Sequence, residues 1–154
     1  MFRIFKAVLT VVLVSGFISS VNAQDITKHL TAAGFPYQAT DYGYAVSVDI
    51  GTGTPVQVDI MTQDFNGKAY YFITVYLGSL SSSGIKADKS FLMKVADMNT
   101  YLVPGFVTLY DGDYLYYLSY LWADGMTDDN VYYTVGRAAV ASMEAVYELV
   151  EFAE

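Results

Sequence analysis

The sequence predicts one α+β domain, a five-stranded antiparallel sheet with three helices in the order α-β-β-β-α-β-β-α. Three observations carry this. Apolar residues recur every three or four positions in three segments and give way to strand-like runs in five others, matching the periods of a helix face and a strand face. Two tight-turn signals, Asn66-Gly67 and Asp111-Gly112-Asp113, fall between neighbouring strand-like runs, where hairpins put them. No repeat, low-complexity tract or linker interrupts residues 24–154, whose length is that of one ordinary domain.

The first residues are set apart. Arg3 and Lys6 precede an apolar run from Ala7 to Ile18, followed by a small, polar stretch ending in Val21-Asn22-Ala23. These are the charged, apolar and cleavage regions of a secretory signal peptide, so residues 1–23 are expected to be a leader cleaved after Ala23. The apolar run is short of the roughly 20 residues that span a bilayer. The chain has no cysteine, which removes a thiol-linked lipid anchor, thiol catalysis and thiolate metal ligation. The expected location is the periplasm or the outside of the cell, with no membrane attachment after cleavage.

Asp25 is placed to cap a first helix, with Ile26, Leu30 and Ala33 on one side and Gly34 at its end. Phe35-Pro36 turns the chain into extended structure. A strand from Tyr44 to Ile50 puts Val46, Val48 and Ile50 on one face; Gly51 to Thr54 is a turn, and Val56 to Ile60 alternates again. After Asn66-Gly67, the strand from Ala69 to Leu77 is apolar on both parities, with Tyr71, Ile73, Val75 and Leu77 on one and Tyr70, Phe72 and Tyr76 on the other. Ser79 to Gly84 is a loop without a strong order signal. A second helix is expected from about Asp88 to Leu102, stopped by Pro104-Gly105. Strands Phe106 to Tyr110 and Tyr114 to Leu121 follow. The longest helix opens at Thr127-Asp128 and carries Val131, Val135, Ala138, Ser142, Val146 and Leu149 at helical spacing.

This order of elements resembles the YbjN-like family, which shares the fold of type III secretion chaperones. The resemblance is carried by the leading helix ending at Gly34 and by the Asn66-Gly67 hairpin. It is also carried by Met98-Asn99, the run from Pro104 to Leu109, the Asp111-Gly112-Asp113 turn with Tyr114 to Tyr117 after it, and Met126-Thr127-Asp128-Asp129. The resemblance implies a non-enzymatic protein that regulates or holds partner polypeptides. The secretion chaperones act in the cytoplasm, whereas this chain begins with an export signal, so their task does not transfer directly.

The formal charge of −8 repels phosphate backbones and disfavours nucleic acid as a partner. His29 is the single histidine, too few nitrogen ligands for a zinc site, and is expected on the solvent side of the first helix. Gly51-Thr52-Gly53-Thr54 lacks the lysine of a phosphate loop and joins two strands. Asp111 and Asp113 suit a turn, and a calcium loop would need a longer ladder of carboxylates. If Val48 pairs with Ile60, Asp49 and Asp59 lie opposite each other, the one arrangement here that suggests a small hydrolase or sugar-active enzyme using paired carboxylates. No catalytic residue, metal site or cofactor is assigned.

Tyrosine is the anomaly, at 15 residues in 154. Tyr70, Phe72, Tyr76, Tyr114, Tyr116 and Tyr120 fall on the parity opposite the aliphatic core, and Tyr42, Tyr44 and Tyr110 are expected to join them. A ring with a polar tip suits surfaces that are wet at one time and covered at another. Either a helix covers this face, or it stays open as a homodimer interface or a site for a partner polypeptide. The sequence-based expectation is an exported, non-catalytic protein that binds a polypeptide partner or itself.

Overall fold

The structure, a computed structural model, describes residues 25–153; the leader expected over residues 1–23 lies outside them. Its elements run α1 (Ile26–Ala32), β1 (Tyr37–Thr40), β2 (Gly43–Val48), β3 (Val56–Phe65), β4 (Lys68–Ser79), α2 (Lys89–Met98), β5 (Phe106–Tyr110), β6 (Tyr114–Trp122) and α3 (Asp128–Leu149), closed by a 3-10 turn at Val150–Phe152. The class is α+β with three helices and an antiparallel sheet, as expected. The sheet has six strands rather than five, in the spatial order β1-β2-β3-β4-β6-β5.

The added strand is β1, which pairs Tyr37 with Val46 and Thr40 with Gly43. All four of its residues are exposed, so no burial pattern marks it in the sequence. Gly43 is required at the tight return, because a Cβ there would run into the Ile60 backbone carbonyl on β3. Strands β3 and β4 extend further than their apolar alternation, to Phe65 and from Lys68, because Asn66 and Gly67 both take positive φ (55° and 75°). That is the geometry of a two-residue hairpin turn, which keeps the ladder paired to its tip. Helix α2 ends at Met98, short of the expected Leu102. The following turns still bury Leu102, so the apolar spacing runs on past the end of the helix.

Each helix start is chemically marked. Asp25 accepts a hydrogen bond from the Thr27 amide at 3.0 Å, and Asp88 accepts one from the Phe91 amide at 2.9 Å. Thr127 and Asn130 cap α3 reciprocally, side chain to backbone in both directions.

All three helices pack on one side of the sheet. Helix α3 lies across β6, β4 and β3, and α1 and α2 rest against it. The core beneath them is drawn from alternate strand residues: Val46, Val58, Ile60, Ile73, Val107 and Tyr117 are essentially fully buried, against Ile26, Phe91, Met98, Val131 and Val135 from the helices.

Candidate functional site: the uncovered face of the sheet

The other side of the same strands is where the sequence-predicted residues meet. Register fixes the arrangement. Tyr70 pairs with Trp122, Phe72 with Tyr120, Thr74 with Leu118 and Tyr76 with Tyr116 across β4 and β6. Phe106 pairs with Leu118 and Tyr110 with Tyr114 across β5 and β6. All six candidate residues, Tyr70, Phe72, Tyr76, Tyr114, Tyr116 and Tyr120, therefore share this face. Among the described residues no helix packs over it. Tyr76 is 51% exposed and Tyr120 55%, while Tyr70, Phe72 and Tyr116 are half-buried by their neighbours.

The rings hold one another. Tyr76 and Tyr116 lie 5.4 Å apart with planes at 51°, Tyr70 and Trp122 5.6 Å apart at 58°, and Tyr120 and Trp122 6.2 Å apart at 80°. These are the tilted and edge-on geometries that ring quadrupoles prefer. The surface is thus a set of ridges rather than a flat floor. Burial, helped by the nearby Tyr76 and Tyr110 hydroxyls, raises the Tyr116 phenol above its ordinary pKa, so it stays neutral at ordinary pH.

Sequence reasoning missed Trp122, Phe106 and Leu118. Trp122 lies one residue beyond the expected end of its strand, although its parity with Tyr114 to Tyr120 would have placed it. Two residues expected to join the face do not. Tyr44 points to the helix side, opposite Ile60 and against the core, and Tyr42 sits in the turn between β1 and β2. Tyr110 does belong to the face.

Other expectations are corrected by register and packing. Val48 pairs with Val56, and Asp59 faces Ala45, so Asp49 and Asp59 are not opposed. The Asp49 carboxylate instead accepts the Gly51 amide at 2.8 Å in the turn, and Asp59 accepts from Gln57 at 2.9 Å. His29 is buried rather than on the solvent side, with Nδ1 2.5 Å from Asp128 Oδ1. A carboxylate has no hydrogen to give, so the imidazole nitrogen donates and ties α1 to the first turn of α3.

The serine loop is ordered by a partner the sequence does not announce. Asp113 accepts hydrogen bonds from the Ser81 amide (2.8 Å), the Ser79 hydroxyl (2.8 Å) and the Ser81 hydroxyl (3.0 Å). These bonds, the amide first, hold its carboxyl below the usual range. Asn99 plays a similar part at the sheet edge. Its side-chain amide donates to the Val107 carbonyl at 2.9 Å and its oxygen accepts the Val107 amide at 2.6 Å. It pairs with edge strand β5 as another strand would.

Among the described residues no group of three or more His, Asp and Glu side chains gathers as a metal site would. An apolar hollow of about 120 Å³ lies beside the serine loop, lined by Leu77, Leu80, Ile85, Leu115, Val146 and Leu149 among others, none of them ionisable.

No family model matches the chain, and no curated protein matches it. A solved structure does: an uncharacterized protein from Methanothermobacter thermautotrophicus, 17% identical, with a TM-score of 0.57 over 82% of this chain and 96% of that one. At that identity the likeness concerns the fold alone, a domain of the same architecture and nearly the same extent.

Proposed function

We propose that this is an exported, non-catalytic binding protein of YbjN-like, secretion-chaperone-like fold, which holds a polypeptide partner on the aromatic face of its sheet. The single observation behind the reading is that face: a continuous patch of tyrosine, phenylalanine and tryptophan rings left exposed among the described residues, whose three helices all pack on the other side. Isolated exposed apolar residues are ordinary, but a contiguous patch of this kind marks a surface meant to be covered. Tyrosine and tryptophan carry most of the energy where protein surfaces meet, and they lose little conformational freedom on binding.

The test is suppression of aggregation of a chemically denatured reporter polypeptide, followed by light scattering. The native protein is expected to suppress it. The Tyr76→Ser/Tyr120→Ser double variant, whose two side chains are already half in water, is expected to lose suppression while its circular dichroism stays unchanged. Full suppression by a folded double variant would overturn the reading.

A further inference from the structure

Resting on the reading of the aromatic face as a binding surface, we infer that in the isolated protein its occupant is a second copy of this chain, seated face to face about a two-fold axis. The size of the patch is the first argument. Tyr76, Phe106, Tyr110, Tyr114, Tyr120 and Trp122 are each more than a third exposed. At about 150–250 Å² per aromatic side chain, they leave on the order of 500 Å² of ring surface in water. Half-buried Tyr70, Phe72, Tyr116 and Leu118 add to this. The total approaches the roughly 800 Å² per partner of a standard interface, at the upper end of what monomers leave open.

Charge is the second argument. On this face of β4, β6 and β5 the one charged side chain is Lys68, at the start of its strand. One carboxylate borders the patch: Asp59 on the adjoining strand β3, half-buried opposite Thr74 and already accepting a hydrogen bond from Gln57. The chain as a whole carries −8. Two such molecules repel through most of their surfaces, and the rings of β4, β6 and β5 let them meet on uncharged side chains, with Asp59 at the margin of the contact.

The third argument is the mode of contact. Asn99 already occupies the outward backbone of Val107 on β5, so a copy cannot add a strand there. The opposite edge, β1, is only four residues long. Association is thereby directed away from the edges to the faces of the sheet, which pack about 10 Å apart when two meet. Tilted rings on one copy mesh between those on the other, and a two-fold axis makes one patch serve both sides.

Trp122 is the single tryptophan and lies 42% exposed on this face, so its emission reports cover at this surface alone. Sedimentation equilibrium of the purified protein over about 1 μM to 1 mM is expected to give a monomer–dimer transition. Trp122 emission is expected to shift to the blue, and its quenching by iodide to fall, over the same concentrations. Tyr120→Arg, and independently Tyr76→Arg, should raise the dimer dissociation constant at least about 30-fold. Tyr147→Arg, at an exposed site on α3, should leave it unchanged.

A dimer that survives both arginine variants in folded form, or that forms without any change at Trp122, overturns the inference. So does a monomer at every concentration. The two readings fail separately. A monomer that still suppresses reporter aggregation through Tyr76 and Tyr120 removes the second copy and keeps the partner-holding surface, whereas a dimer without suppression does the reverse.

Discussion

The two faces of β4 and β6 are built from alternate residues of the same strands, yet they are chemically unlike. On the helix side Tyr71, Ile73 and Val75 are 4% exposed or less, and Tyr117 is fully buried. One residue along in each case, Tyr70, Phe72, Tyr76 and Tyr116 meet water. Tyrosine occurs on both faces and does different work on each. Tyr117 is part of the core, where burial pushes its phenol up to about 12. Tyr116 and Tyr120 form a surface. Tyrosine content alone therefore carries no functional meaning here; parity does.

The sharpest way to break the comparison is to truncate one tyrosine on each face. Tyr117→Ala removes a large, fully buried ring and is expected to cost about 3–5 kcal/mol, measured by urea unfolding. A cost as small as that of a surface change would mean that the helix face is not the core. Asn99→Ala comes next. It leaves the Val107 amide and carbonyl without their partner in a part-buried position, at about 1–3 kcal/mol. It also frees the β5 edge for pairing, so this variant should aggregate sooner on heating; unchanged melting would show that the clamp is idle.

A smaller, pH-dependent effect belongs to Asp113. Its carboxyl is held low in the folded state, so its contribution to stability is present above the unfolded carboxylate pKa and lost as pH falls through the folded one. Protection of the Ser79 to Gly84 amides, relative to their intrinsic exchange at each pH, should therefore fall in acid more than protection in α3. Asp113→Asn should abolish that difference, and its persistence in the variant would assign the effect elsewhere. The smallest stability effect is expected from Tyr120→Ser, within about 0.5 kcal/mol, although the same change should remove reporter holding. That pairing of a negligible fold effect with a large binding effect separates the two faces experimentally.

Much of this was legible in the sequence wherever a pattern is local. The alternation of β4, the Asn66-Gly67 turn and the caps Asp25 and Thr127 depend on residues a few positions apart. The aromatic parity of β4 and β6 was equally readable, and so were the six candidate face residues. What was hidden depends on register or on contacts between distant segments. The pairing of Val48 with Val56 is set by the turn that follows Asp49, and no alternation rule distinguishes it from Val48 against Ile60. β1 hid because exposed residues leave no period. His29 follows Ile26 by three positions and precedes Leu30, so helical spacing itself places it on the inner side; its polarity suggested otherwise. The reach of Asn99 to Val107 and of Asp113 to Ser81 has no counterpart in sequence spacing.

The strand order has a kinetic consequence for the aromatic face. Every strand pairing except one joins neighbours in sequence; β4 with β6 alone reaches across α2 and β5. Tyr70, Phe72 and Tyr76 belong to the first meander, while Tyr116, Tyr120 and Trp122 belong to the second hairpin. Local hairpins close over short loops, and the joining of the two halves bears the larger loop-closure entropy. Neither half carries the patch by itself. The sticky surface is assembled by the slowest pairing of the sheet, so a nascent chain cannot display it before its core has somewhere to go.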